Sequence, residues 1–340
     1  MKKFKIAFIG TLFLILNLCF CSSIATIKVD DSFVLPEKFI PNFILNEASK
    51  KIYFINQSNK ISVLDLEKKE IVGTIDIGDI TPQFLTDQLG GVIDKANQVL
   101  IIKNRILFVV DSNTDKLINS INLLSTPSGL AIDQSTGKVW ITYKSTPISV
   151  SLINDVSKND IENLQLESLA VKPLNSVSIF HSPVLNKLIL VVDDAKKWNV
   201  YLLTTDLQLV KSFSFKSHFF MTPIAFNPET GRMYTHALNK VVVVDIERSK
   251  VLRVININQS GKDSSVRSGI AINSNSNEIF VPKPQDNKVI VISGKKNKVI
   301  DKITVSIPIF ISVDSVLDKV YVLSYPQEGE TGSTLSIINR

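Results

Sequence analysis

Only two cysteines occur in 340 residues, and both, Cys19 and Cys21, fall within the first 25. A chain cut after that segment carries no thiol, which excludes disulfide stapling, thiolate catalysis and cysteine-ligated zinc. Glycine is scarce as well, at 13 residues, and no Gly-x-Gly-x-x-Gly, Walker-type or Gly-x-Ser-x-Gly sequence occurs. Nucleotide phosphates therefore lack a glycine cradle, and a serine nucleophile lacks its elbow. Beyond residue 20 no apolar run reaches the roughly 20 residues that cross a bilayer as a helix. An excess of one charge is also missing. The net charge of +6 includes Lys2, Lys3 and Lys5, so without the first 25 residues 35 bases face 32 acids, a net +3. That is too small and too evenly spread for a nucleic-acid footprint.

What is present is an ordinary foldable composition, 44% apolar and 21% charged. The opening segment has three parts. Met1 to Lys5 is basic, Ile6 to Phe20 is apolar apart from Gly10, Thr11 and Asn17, and small residues follow. Ser23 and Ala25 occupy the −3 and −1 places of an export-signal cleavage site, which predicts a signal peptide over 1–25 and a mature chain from Thr26. Lipidation of Cys19 or Cys21 is the alternative, although bulky Phe20 before Cys21 and Leu18 before Cys19 both fit that signal badly.

The remainder reads as short apolar runs split by Asn, Asp, Ser, Gly and Lys, the pattern of many antiparallel strands. A proline or small polar residue recurs before an apolar strand at Pro41, Pro82, Pro127, Ser176, Pro223, Ser268 and Pro308. The spacing is about 45 residues, which divides residues 26–340 into seven units. Unit one shows four strands: Phe43-Ile44-Leu45, Lys51 to Asn56, Ile61 to Asp65 and Ile71 to Ile77. Units five and six repeat the order, with third strands Val241 to Val244 and Val289 to Ile292 apolar at every position. Such strands are covered on both faces. Four antiparallel strands per unit is the blade of a β-propeller, so the expectation is an all-β, seven-bladed propeller in a single domain over 26–340. With few glycines, Asn and Asp are expected at the left-handed turn positions.

The last unit has only three strands: Phe310 to Val313, Lys319 to Leu323 and Thr334 to Ile338. The segment from Ile27 to Leu35 is a spare strand. It is predicted to pair with the last unit as its outermost strand, closing the ring and removing an open edge.

Unit one resembles a repeat of the YVTN family, seven-bladed propellers of bacterial and archaeal surface or periplasmic proteins. The matching residues are Tyr53-Phe54-Ile55-Asn56, Asn59 to Asp65, Val72 to Gly78 and Pro82. Unit five keeps Tyr234, Asn239 and Asp245, and unit six keeps Asn287 with Ser293 in place of Asp. Units two to four are degenerate. The resemblance implies the propeller fold and an exported, periplasmic or surface location. The repeated Asp reads as structural, its carboxylate accepting turn N–H groups.

No residue stands out as catalytic, cofactor-binding or metal-ligating. His181 and His218 are expected in a turn and a connection, His236 near a strand end, and all three as surface or turn histidines. Trp140 reads as core and Trp198 as a turn residue that contacts a partner or caps its blade. Asn56-Gln57-Ser58 and Asn258-Gln259-Ser260 fit the glycosylation sequon. In a propeller the connections between blades converge on one end of the axial channel. Here they carry Lys38, Asp79, Lys172, His218, Lys262, Asp263 and Arg267, a mixed, slightly basic rim suited to a polar or anionic partner. The 258–268 connection is the first candidate for a recognition loop. The favoured reading is a monomeric, exported, non-enzymatic binding scaffold without cofactor. The alternatives are a metal-dependent propeller hydrolase or lactonase using Asp79 and Asp263, and a nucleic-acid-binding propeller using Lys262 and Arg267.

Overall fold

Tight turns set the architecture. The residue that enters the second strand of every unit has positive φ: Lys50, Asn97, Gly137, Asn186, Gly231, Asn277 and Asp318. So does one residue in each turn between third and fourth strands: Lys69, Asp115, Asn159, Leu207, Ser249 and Asn297. Asn, Asp and Gly take most of these places, as the scarcity of glycine leads one to expect. Lys50, Lys69, Leu207 and Ser249 take the others at a local conformational cost. Side chains at the strand ends hold the turns. The Oδ1 atoms of Asp65 and Asp111 each accept two turn N–H groups, from Glu67 and Lys68 and from Asn113 and Thr114. Asp245 accepts one from Arg248. The repeated Asp is thus a turn-holding group.

The computed structural model describes residues 28–35, 43–56, 58–78, 89–169, 176–194, 196–216, 224–237, 239–257, 269–326 and 332–340. They form seven four-stranded antiparallel sheets arranged in a ring. Blade 1 comprises Ile44–Asn46, Lys51–Ile55, Lys60–Asp65 and Glu70–Asp76, and blade 2 Leu89–Ile93, Gln98–Lys103, Ile106–Asp111 and Lys116–Asn122. Blade 3 comprises Pro127–Ile132, Val139–Tyr143, Ile148–Asp155 and Asp160–Leu166, and blade 4 Ser176–Ser182, Lys187–Asp193, Lys197–Leu203 and Leu209–Lys216. Blade 5 comprises Ile224–Asn227, Arg232–Ala237, Lys240–Asp245 and Lys250–Asn256, and blade 6 Ala271–Asn273, Glu278–Lys283, Lys288–Ser293 and Lys298–Thr304. The units whose sequences are degenerate are complete blades.

Blade 7 takes Pro308–Asp314, Lys319–Ser324 and Thr334–Asn339 from the end of the chain, and Asp31–Val34 as its outermost strand. Phe33 stands opposite Leu335 and Asp31 opposite Ile337. Beyond the strand itself, Asp30 N–H donates to Ile337 O and Leu35 N–H to Ser333 O, both within 2.9 Å. The two ends of the chain therefore close the ring as expected.

The apolar core is seven clusters, one between each pair of neighbouring blades. Ile44, Tyr53 and Ile75 meet Val99, Ile101 and Phe108 between blades 1 and 2. Leu35, Phe43 and Phe54 meet Tyr321 and Leu335 between blades 1 and 7. Third strands are buried at consecutive positions, Ile61 to Leu64, Val241 to Val244 and Val289 to Ile292, because each faces a blade on both sides. At roughly 1.5–3 kcal/mol for each fully buried aliphatic or aromatic side chain, these interfaces supply the stability that a disulfide-free fold requires.

Candidate binding face

Antiparallel order fixes which loops share an end. Second strands finish, and fourth strands hand over to the next blade, at the same end of the ring. The first-to-second and third-to-fourth turns lie at the other. The two ends differ sharply in length of chain. At the turn end nearly every loop has four residues, as between Asn46 and Lys51 or Asp245 and Lys250. At the connection end the blade-to-blade segments run from three residues between Thr304 and Pro308 to 12 between Asp76 and Leu89 and 14 between Asn256 and Ala271. Insertions in repeat folds collect on one face, and that face is commonly the binding one.

The predicted rim residues Lys38, Asp79, Lys172, His218, Lys262, Asp263 and Arg267 belong to these connections and lie outside the described residues, as does the 258–268 segment. What the structure does describe there is a ring of polar groups that ends the second strands. Asn56 just follows its strand. Lys103, Tyr143, Lys283 and Ser324 stand at the matching place in blades 2, 3, 6 and 7, and all five are at most 9% exposed. Sequence reasoning missed them because it placed function in loops. The signal was there, in the lysine that closes the runs Val99 to Lys103 and Ile279 to Lys283.

Most of these groups are bonded. Asn56 Nδ2 donates to Ser62 Oγ at 3.0 Å, and its Oδ1 accepts N–H groups from Ser58 and Lys60. So enclosed an amide is unsuited to glycosylation, whatever the sequon. Tyr143 Oη and Ser151 Oγ are 2.6 Å apart. Lys283 Nζ donates to Asn239 Oδ1 across the blade interface at 2.9 Å. Lys103 and the Ser324 hydroxyl have no such partner among the described residues. Burial holds the Lys103 ammonium below the ordinary lysine range.

The turn end is laced from blade to blade. Asp115 accepts from Lys51 Nζ at 2.6 Å and from Tyr53 Oη at 2.7 Å. Burial, reinforced by Asp115, pushes the Tyr53 hydroxyl well above its usual range. Asn273 Nδ2 reaches Asp318 at 2.6 Å, and Arg232 reaches Gly294 O at 2.7 Å.

Three expectations change. His181 lies in the first strand of blade 4 rather than a turn, and its side chain is 6% exposed. It stacks on Trp140 with ring centroids 5.8 Å apart, and its Nδ1 is 3.9 Å from Asp133 Oδ1. Burial pulls the imidazole below its ordinary value, against the pull of Asp133. His236 is buried too, so neither described histidine is a surface group. Trp198 stands in the strand Lys197–Leu203 and is buried, stacked on Phe215 at 6.1 Å, so it caps its blade instead of meeting a partner. Trp140 is core, as expected. Among the described residues no three His, Cys, Asp or Glu side chains come together as a metal site.

The architecture defines a seven-bladed β-propeller with WD40-like structural neighbours. No family model matches the sequence, and no curated protein does. Solved structures do. U3-55K is 14% identical over 92% of this chain and 100% of its own, with a TM-score of 0.70. The RRP9 WD40 repeats are 12% identical over 92% of this chain and 99% of theirs, TM-score 0.69. Hydrazine synthase of Kuenenia stuttgartiensis is 10% identical over 90% of this chain and 96% of its own, TM-score 0.70. At these identities the likeness is one of fold alone.

Proposed function

We propose that this chain is an exported, YVTN-type propeller that works as a non-enzymatic scaffold, binding a protein or a polar, anionic ligand at its connection end. The observation that carries the reading is the asymmetry of loop length, with turns of four to six residues, nearly all of four, at one end and connections of three to 14 residues at the other. Supporting it are the leader-like first 25 residues, the repeat residues around Tyr53 and Tyr234, and the slightly basic composition of the connections. The propeller scaffold, with its WD40-like neighbours, is suited to protein interaction.

The test is to replace 258–268 with a short Gly-Ser linker and compare the molecules cross-linked to the wild type and the variant in the native cell. The reading expects the main partner to be lost from the variant but kept by a control altered at the turn end. An unchanged partner set would overturn it.

A further inference from the structure

The turn between third and fourth strands of one blade meets the second strand of the blade before it. In blade 1 that strand opens with Lys51 and has Tyr53 two places on, on the same face. Both reach the turn of blade 2. Lys51 Nζ donates to Ser112 O at 3.4 Å and to Asp115 Oδ2 at 2.6 Å, and Tyr53 Oη donates to Asp115 Oδ1 at 2.7 Å. One carboxylate thus serves a cation and a phenol through charge-assisted hydrogen bonds.

Blade 5 repeats the donors. Its second strand opens with Arg232, and Tyr234, 0% exposed, stands two places on. Arg232 Nη1 donates at 2.7 Å to the carbonyl of Gly294, the first residue of its turn in blade 6 as Ser112 is in blade 2. The backbone matches too, since Ser112 N–H and Gly294 N–H donate to Asn97 O and Asn277 O, both at 2.8 Å. The fourth turn residue is left-handed in each, φ 52 at Asp115 and φ 49 at Asn297. Its side chain is where the two interfaces differ: an amide replaces the carboxylate.

That replacement strands two groups. Tyr234 Oη and Asn297 Oδ1 are buried without a hydrogen-bond partner among the described residues, and Arg232 has no ion pair among them. Burial pushes the Tyr234 hydroxyl up, while the Arg232 guanidinium beside it pulls the other way. The carboxylates of these two blades are engaged or turned outward. Asp245, opposite Arg232 in register, accepts Arg248 N–H at 2.8 Å, and Glu278 takes the Arg340 guanidinium at 2.6 Å. Glu229 and Glu247 are exposed and do not pair with Arg232. The loops of blades 5 and 6 at this end, 228–231, 246–249, 274–277 and 294–297, all belong to the described residues, so none of them supplies the missing acceptor. A buried hydroxyl left so is costly, and an anion from outside is a remedy.

We infer that the turn-end interface between blades 5 and 6 is a binding site for a single carboxylate group, which accepts from Arg232 and Tyr234 in the place that Asp115 holds between blades 1 and 2, with the Asn297 amide swung outward. No hydrogen bond among the described residues holds that amide. Arg232 is half-buried, which leaves its guanidinium open to solution, and exposed Lys295 and Lys296 on the same turn favour an anion. The site lies at the opposite end of the ring from the proposed docking face and does not depend on it.

The test uses the purified protein. Acetate is the probe for a free small acid and acetyl-glutamate amide the probe for an acidic side chain of a partner, each compared with chloride at equal ionic strength. Arginine modification by phenylglyoxal is followed residue by residue by peptide mass spectrometry. At about ten times its Kd a bound carboxylate slows modification of Arg232 roughly tenfold and leaves exposed Arg253 unchanged. Acetate also raises the Tm of the wild type. Asn297→Asp, which supplies the carboxylate from the chain itself, raises the Tm in chloride and removes the response to acetate. Protection by acetate alone identifies a free small acid as the ligand, and protection by acetyl-glutamate amide identifies a partner's side chain. Modification of Arg232 that neither probe slows would overturn the inference, as would an equal acetate shift in Asn297→Asp. The modification arm needs only wild-type protein, so it decides the matter even if the variant folds poorly.

Discussion

Arg340, the last residue, lies with Nη2 2.6 Å from Oε1 of Glu278 and Nε 2.9 Å from Oε2. The guanidinium also stands 5.8 Å from the Phe280 ring centroid and 3.4 Å from Asp301. The end of blade 7 is thereby tied to blade 6 by a bidentate, largely buried ion pair, in the place where Lys51 and Asp115 tie blades 1 and 2. The sign of the pair is reversed between the two interfaces: Glu278 and Lys51 both open a second strand, while the partner comes from just after the third strand in blade 7 and from the third-to-fourth turn in blade 2.

Removing one partner of such a pair leaves a carboxylate half-enclosed without compensation. Arg340→Ala should cost about 2–4 kcal/mol in urea unfolding. Arg340→Lys should restore less than half of that, because an ammonium cannot bond both oxygens in the fork geometry. An unchanged midpoint for Arg340→Ala would show that the pair is solvated in solution.

Tyr53 and Tyr234 hold the same place in blades 1 and 5, but their surroundings differ. Tyr53 donates to a carboxylate, whereas Asn297 stands where Asp115 would be for Tyr234. Tyr53→Phe should cost about 1–2 kcal/mol and Tyr234→Phe clearly less, measured by thermal or urea unfolding. Equal losses would mean that the hydroxyl of the repeat tyrosine acts by packing alone.

Ser249 adopts φ 56, and its buried Oγ has no hydrogen-bond partner among the described residues. Ser249→Gly relieves both and should stabilise by about 0.5–1 kcal/mol. Leu207 has the same backbone, φ 63, but is 7% exposed and packed in the cluster between blades 3 and 4. There the lost burial outweighs the relieved strain, so Leu207→Gly should destabilise by about 1–2 kcal/mol. Calorimetry on the two variants should show shifts of opposite sign.

The strands were legible because burial on both faces leaves an uninterrupted apolar record, as in Val241 to Val244. Closure was legible because the last unit lacks a strand and residues 27–35 spell one. His181 and Trp198 were misread for a common reason. Each has polar neighbours in sequence, Ser182 or Lys196, Lys197 and Asn199, that suggest a turn, while the side chain itself faces another blade. The rim named from sequence lies outside the described residues.

Stability should fall in acid in two stages, because His181 and Asp133 both take up protons more readily when unfolded. Burial lowers the His181 pKa, so the unfolded chain binds the extra proton first and stability drops as pH falls below about 6.5. Asp133 is raised by burial but lowered more by hydrogen bonds from Thr136 and Ser135, to about 2. Its contribution is present above the ordinary Asp value and is lost as pH falls from there toward 2. His181→Gln should flatten the first stage and leave the second. A Tm profile in which the variant keeps the slope below pH 6.5 would assign that stage to another group.

The central claim is that the connection end is the working face, and site-specific photo-crosslinking in the native cell tests it most directly. A photoreactive residue would be placed at Lys60 or Tyr325, exposed at the connection end, and at Val184 or Val316, exposed at the turn end. Adducts from Lys60 and Tyr325, with none from Val184 and Val316, are the predicted result. Adducts that form mainly from Val184 or Val316 would contradict the account.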